Sequence, residues 1–575
     1  MNPTEKSKAY LPAAVFISVS GAWFLILMHL PLYNLGGSGF ILPQNILTWV
    51  IVAVLCGIII SMNTRRSIIF TPFLALLIFA SVLMTIPLLW SADPVTESSS
   101  IARFIGLWAG VFFYFCLLQL RFTEKMLQTC LWFIALSAMV EGGIVLQTLF
   151  LPGTLSETGL QFYINNGLSA AGTFQQVNVT ASWLATGLVA QLVLILRDRS
   201  DVGKTCRYNG LRYVRPALSA IITTMLSACI VLTRSRVGWL GGSLCYLIIS
   251  LCLLSSKKKH SPHAGKTLVL VFAPLVGTAL GLMLLDGTPA QAISHDASNY
   301  QRLLTLKETW QMIMLLPFKG WGGGTYQEAF QRYMASHFVN NPSHELMEHP
   351  HNELLYVWFE GGVIALLGYL FIMLGICRLC LRGLSMQRCT LGTTLIPIFL
   401  HTGTEFPLYY SAAHFVVLLI LLVLLDQPGG TRQAAFTLPD KMRSVSILIR
   451  ITAVLVSICI ILWLIKAFYM AHLLSHFEDG TLDKPDKIVQ MTPPSLTRER
   501  YLHDLNLLNL VHYYGSGNQK FLNNYVLTNT EWLKHHPEPD DYDNQIRVLR
   551  VVGQPERAEI YRQAAKQLFP WDQRF

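Results

Sequence analysis

His349-Pro350-His351-Asn352-Glu353 stands where a long polar stretch meets an apolar run that continues to about Ile376. Two imidazoles, a carboxamide and a carboxylate are thereby expected at a membrane surface. A neutral imidazole has an ordinary pKa of about 6.5, so near neutral pH it can take the proton from a hydroxyl as that hydroxyl attacks. A plain helix start accounts for part of the pattern: Pro350 presets the backbone, Asn352 caps, and Glu353 suits the positive end of the dipole. It leaves two histidines unexplained. His351 is the first candidate for a general base and His349 the second, and the sequence does not separate them.

A set of basic residues belongs with them. Lys and Arg otherwise fall in short clusters between apolar runs, but Arg103, Arg234, Arg236, Arg302, Lys307, Lys319 and Arg332 stand on the opposite side of that pattern. A cation that breaks the topology rule at a membrane surface usually has an anionic partner. Head-group contact or snorkelling explains a single one. Arg234 and Arg236, which flank Ser235, and Arg302 are read instead as ligands for an anion. Guanidinium forks can hold a pyrophosphate and stabilise it as it leaves. Histidine and arginine together describe group transfer from a lipid pyrophosphate to an alcohol, with no cofactor and no metal.

The elements that must position these residues follow from composition. Of 575 residues 53% are hydrophobic and 13% charged, with mean hydropathy +0.45, which indicates a polytopic membrane protein. The net charge of +10 sits in the short clusters, where it serves topology and anionic lipid rather than nucleic acid. With about 20 apolar residues per crossing, spans are predicted near 11–30, 44–62, 68–90, 101–120, 127–151, 173–196, 216–233, 237–254, 266–285, 352–377, 390–407, 408–425 and 446–468, thirteen in all. Lys6 and Lys8 precede the first, which reads as a helix and not as a cleaved signal. Alternate loops carry Arg65 and Arg66, Arg121 and Lys125, a group from Arg197 to Arg215, Lys257 to Lys259, Arg378 to Arg388, and Arg432 to Arg443. These are predicted cytoplasmic with the N-terminus, which places the opposite face in the periplasm, or outside in a cell with one membrane. Loops 31–43, 91–100, 152–172 and 403–407, free of Lys and Arg, are predicted periplasmic with the C-terminal tail.

Four regions result: a transmembrane bundle over 1–285, a large periplasmic loop over 286–351, further transmembrane helices over 352–468, and a periplasmic helical domain over 469–575. In the loop, Leu303, Leu306, Trp310, Ile313 and Met314 recur at helical spacing among Arg302, Lys307, Glu308 and Gln311, as in an amphipathic helix on or near the bilayer. Pro317 ends it. The turn Lys319-Gly320-Trp321-Gly322-Gly323-Gly324 reads as a hinge, with amides that could approach phosphate as the alternative. A second helix is predicted from Tyr326 to Ser336. In the tail, Asp504 to Pro537 and Asp540 to Pro570 each read as a helical hairpin turning near Gly515 or Gly553, close to a tetratricopeptide period. Such a module binds or props more often than it catalyses.

The chain has no P-loop, no HExxH, no G-x-S-x-G, and no Asp-x-Asp pair in a polar segment, so ATP-driven, zinc-hydrolytic, serine-hydrolytic and nucleotide-sugar chemistry lose support. Cys377 and Cys380, with Cys389 beyond, lack a second ligand pair and read as small apolar residues. No cysteine lies in the two long polar segments.

His351-Asn352, nine residues, then Gly362, preceded by the Arg302–Trp310 helix and Pro317-Phe318-Lys319-Gly320-Trp321-Gly322, resembles the O-antigen ligase and polymerase superfamily. Within it the chain resembles the PglL-type bacterial O-oligosaccharyltransferases. Gly172-x-x-x-Gln176-Val177-Asn178-Val179 is similar to the Gly-x-x-x-Gln-Pro-Asn-His element of that branch, with valines in place of Pro and His. Glu405-Phe406-Pro407-Leu408-Tyr409, after a span bearing His401, is similar to its Glu-aromatic-Pro-Leu element. Ala365 departs from the family pattern three positions after Gly362. The resemblance implies an all-α polytopic, GT-C-like fold and an undecaprenyl-pyrophosphate-linked glycan as donor. It implies en bloc transfer, inverting and metal-independent, to Ser or Thr of an exported protein such as a pilin. His351 would be the base, Arg236 and Arg302 the pyrophosphate ligands, and Gln176, Asn178, Asn352, Glu405 and Tyr409 further site residues. A ligase acting on lipid A-core, a polysaccharide polymerase, and a flippase for lipid-linked sugars are the alternatives.

Overall fold

The computed structural model describes residues 3–32, 39–62, 67–91, 94–120, 122–197, 211–255, 264–288, 295–427, 435–437, 443–482 and 484–575. The basic clusters at Arg65 and Arg66 and at Lys257 to Lys259, with Arg121, Arg432 and Lys441, fall outside the described residues.

Continuous apolar runs give long helices. The first five are α1 Pro3–Leu25, α2 Pro43–Met62, α3 Pro72–Thr85, α4 Pro94–Leu118 and α5 Glu124–Phe150. Thr71 and Thr123 cap α3 and α5, accepting from the amides of Leu74 and Met126. A short helix α6 Glu157–Asn165 leads to α7 Val177–Arg197, and α8 Leu211–Leu232, α9 Arg236–Ser255 and α10 Ala264–Leu285 follow. After the large loop, with α11 His295–Leu315 and α12 Tyr326–His337, come α13 Glu353–Leu381 and a broken stretch, α14 Met386–Gly392 and α15 Ile396–Thr402. Next are α16 Pro407–Tyr410, α17 Ala412–Asp426 and α18 Arg443–Glu478. The tail holds α19 Arg498–Ser516, α20 Gln519–Trp532, α21 Pro539–Val551 and α22 Pro555–Leu568.

Among the described residues eleven helices are long and apolar enough to cross a membrane, and the protein is an all-α polytopic membrane protein. The thirteen-span expectation departs from this at 390–407 and 408–425. The first is cut into α14, a 3-10 turn at Thr393–Leu395, and α15, which has Pro397 in its first turn. The second is the 15-residue α17, nearly all of it buried. Hydropathy registers apolar side chains without knowing whether their neighbours are lipid or protein. A segment enclosed by protein can be short or broken because protein groups satisfy its backbone. The main core forms around α7 and α17. The one sheet, among the described residues, pairs Ser67–Ile69 antiparallel with Ala435–Thr437.

In the large loop both predicted helices are present, and Leu303, Trp310 and Met314 of α11 are exposed while Leu304, Met312 and Ile313 pack against Tyr326, Phe330 and Phe359. The glycine-rich turn is closed by its own amides: Trp321 and Gly322 donate to the carbonyls of Phe359 and Glu360, Gly323 to Ser91, and Gly324 to the Glu360 carboxylate. These four amides are committed to protein acceptors. α18 runs nearly three turns beyond its expected end at 468, and two hairpins follow with left-handed turns at Gly517 and Gly553. The tail packs on α12: Gln331 donates to Leu568 O at 2.6 Å, and Arg332 donates to the carbonyls of Leu533 and Lys534. Arg332 is thus occupied in holding the tail, and Lys307 pairs with its neighbour Glu308.

Candidate active site

The His349–Asn352 turn is built from its own side chains. Asn352 caps α13, accepting from the Leu355 amide at 3.1 Å, and its amide nitrogen donates to Gly403 O at 3.2 Å. His351 has φ 55°, a left-handed conformation rare outside glycine and somewhat easier for His, Asn and Asp. The His351 amide donates to His349 Nδ1 at 2.9 Å. His349 is buried between Tyr356 and Phe406, with ring centroids 4.4 and 4.5 Å away, and its Nε2 lies 3.8 Å from Glu353. Tyr409 donates to the other oxygen of Glu353. Beneath them Arg103 pairs with Glu360 and lies over the rings of Tyr356 and Tyr409. Gly362 breaks α13 with φ 61°, because a side chain there would land on the Phe318 carbonyl.

Beside this turn Glu405 gathers three other elements. Its Oε1 accepts from Arg302 of α11 at 2.9 Å and from Asn178 of α7 at 2.6 Å. Its Oε2 accepts from Gln176 at 2.7 Å and lies 3.1 Å from His401 Nε2. Gln176 also closes the start of α7, its carbonyl oxygen accepting from the Val179 amide. Ser235, ahead of α9, donates to Asn178 Oδ1 at 2.6 Å. The chain Glu405–His401–Ser182–His414–Ser411 then runs inward through contacts of 2.9 to 3.1 Å.

Electrostatics distinguish the groups. Burial and then the Arg302 charge push His351 below the usual imidazole range, with Glu405 pulling the other way. His351 is therefore neutral near pH 7 and able to accept a proton. Burial also lowers His349, against the pull of Glu353. Burial alone would raise Glu405, but His401, Arg302 and Gln176 more than offset it and hold the carboxylate below its usual range.

Of the residues singled out in the sequence, Gln176, Asn178, Arg302 and Glu405 meet directly. Tyr409 and Asn352 belong to the neighbouring turn, Tyr409 donating to Glu353 and Asn352 to Gly403 O. Arg236 is exposed and donates to Asn299 at 2.9 Å, one turn before Arg302 on α11, so the two guanidiniums flank one stretch of surface. Arg234 is turned elsewhere. Its own φ is 55°, and it donates to Leu285 O and Thr288 Oγ1 at the end of α10. The sequence reading gave no role to Ser182, His414 or Glu141. Glu141, fully buried within α5, accepts from Thr173 N and Oγ1 and contacts His29, pinning the strand of chain that carries Gln175 and Gln176. A carboxylate inside an apolar run is the signal that could have found it. Among the described residues no three His, Cys, Asp or Glu side chains group as a metal ion requires.

Residues 220–370 match the family model described as O-antigen ligase. Residues 390–575 match the one described as virulence factor membrane-bound polymerase, C-terminal. Together they support the O-antigen ligase and polymerase superfamily. The ligase match holds Arg234, Arg236, Arg302, His349 and His351; the polymerase match holds His401, Glu405, Tyr409 and the tail. Gln176 and Asn178 lie outside both matches. No curated protein matches the chain. The superfamily supports a membrane enzyme that transfers glycans as a ligase or polymerase.

Proposed function

We propose that the chain is a PglL-type O-oligosaccharyltransferase, moving a glycan from undecaprenyl pyrophosphate to Ser or Thr of an exported, pilin-like protein at the periplasmic face of the inner membrane. The observation that carries this reading is the junction at Glu405. There the Gln176/Asn178 element, the Glu405 element and Arg302 converge beside a neutral His351. His351 Nδ1 is enclosed, so Nε2 is the face that takes the proton of the acceptor hydroxyl. That oxygen bonds to the anomeric carbon as the bond from carbon to the pyrophosphate oxygen breaks, in one inverting displacement. Arg302 and Arg236 receive the charge that develops on the leaving pyrophosphate. The Glu405 carboxylate holds Arg302 in place before the donor arrives.

The same machinery serves a ligase acting on lipid A-core or a polymerase, and the two family matches favour this second reading. The deciding experiment reconstitutes purified protein with a lipid-pyrophosphate glycan and offers pilin beside lipid A-core, with mass spectrometry of both acceptors. Glycan on pilin Ser or Thr, lost in His351→Ala by roughly 10²–10⁴ in rate, is the expected result. Glycan on lipid A-core alone would make the chain a ligase, and a glycan polymer alone a polymerase.

A further inference from the structure

His349 and His351 are both histidines of the same turn, yet only one is free to meet a substrate. His349 Nδ1 already accepts the His351 amide at 2.9 Å, so the neutral ring carries its proton on Nε2. That Nε2 is enclosed, facing Glu353 at 3.8 Å. Tyr356 and Phe406 close on the ring from both sides, and the residue is 5% exposed. An acceptor hydroxyl has no route to either nitrogen. What the Nδ1 does hold is the amide of the residue whose backbone is in the left-handed region. Such conformations cost free energy and persist only where neighbouring structure enforces them.

We infer that His349 is a positioning residue whose Nδ1 fixes the left-handed turn of His351 and so aims the His351 ring at the acceptor. The contact has the connectivity of an Asx turn, in which a side-chain acceptor binds the amide two residues on, ahead of a proline. Asparagine ahead of Pro350 can make the same bond through its Oδ1. Phenylalanine can replace the ring between Tyr356 and Phe406 but offers no acceptor.

The inference rests on the proposed transfer reaction, and the pair His349→Phe and His349→Asn tests it. In His349→Phe, kcat falls about 10²-fold with KM little changed, the scale of a small misplacement of a catalytic group. In His349→Asn, kcat recovers to within about tenfold of the parent. Equal loss in both variants would make the imidazole itself a proton carrier and overturn the inference. Full activity in His349→Phe with loss in His349→Asn would reduce His349 to packing and overturn it too. A second readout needs no turnover: the rate at which diethyl pyrocarbonate modifies His351, followed by mass spectrometry of the folded protein in detergent. A changed rate in His349→Phe, restored in His349→Asn, is expected, and identical rates in all three proteins count against the clamp. A parent that transfers nothing in any assay but shows the expected labelling pattern would refute the reaction and leave the clamp standing.

Discussion

Glu405→Gln exchanges one acceptor oxygen for a donor without changing shape, and the hydrogen bonds around it fix the consequences. One oxygen serves Arg302 and Asn178, the other Gln176 and His401. If the new NH2 faces Arg302 and Asn178, a guanidinium and an amide both lose their acceptor. If it faces the other way, His401 can shift its proton toward Ser182 and accept, and only Gln176 is stranded. The second orientation costs less: one half-buried donor unmet, at most about 1–3 kcal/mol. The charge effect has a definite sign. The Glu405 carboxylate raises the proton affinity of His351 against burial and Arg302, so its removal lowers that affinity further. The acid limb of the kcat/KM profile, set by protonation of His351, therefore moves to lower pH in Glu405→Gln. Parent stability carries a matching signature. A carboxylate held below its usual range stabilises the fold above its unfolded pKa of about 4.3, and that contribution is lost as pH falls through the folded value. The variant lacks this loss. A pH–rate profile with lipid-linked donor and thermal melts from pH 3 to 8 measure both. An acid limb that moves to higher pH would refute the electrostatic reasoning, and a melting curve identical to the parent at every pH would refute the hydrogen-bond count.

Arg302→Lys keeps the charge but loses the fork, so one charge-assisted hydrogen bond of about 1.5–3 kcal/mol disappears, or roughly 10- to 150-fold in kcat/KM; steady-state kinetics read it. Gly362→Ala puts a methyl against the Phe318 carbonyl in a conformation that side chains rarely adopt, and costs about 2–6 kcal/mol by thermal melting. In the tail, burial would lower His503, but hydrogen bonds to Asp504 and Asp541 outweigh it and raise its pKa to about 10. Its contribution to stability is complete below about pH 6.5 and is lost as pH rises through about 10. Melting of the folded protein between pH 7 and 11 shows this decline, and His503→Gln flattens it.

The spans were legible because a crossing helix is written locally, in about 20 consecutive side chains. The cap at Asn352 and the outlying arginines were legible for the same reason. Long-range pairing was not. Nothing near Glu405 says that Arg302 and Asn178 will share one of its oxygens. A single residue, Ser235, separates Arg234 from Arg236, and a left-handed turn at Arg234 sends their side chains to different helices. The same device separates His349 from His351. Both cases depend on a backbone sign change that composition does not encode. At 390–407 hydropathy gives no sign that the segment divides at Thr393–Leu395, because a broken segment has the same apolar composition as a continuous one.

α18 packs along α2, with Ser457 against Gly57, and the strand after α2 pairs with the one before α18. About 380 residues separate Met62 from Arg443. At a synthesis rate of roughly 5–20 residues per second, α2 waits on the order of 20–80 s for its partner. Until then its unfilled face must be covered by lipid or by an insertion factor. α17, which the finished bundle encloses, also emerges after most of the helices around it. A ribosome stalled before residue 400 would leave a chain with His351 and Arg302 already made and Glu405 not yet there to join them, so assembly of this site is timed by the late-emerging C-terminal part of the membrane domain.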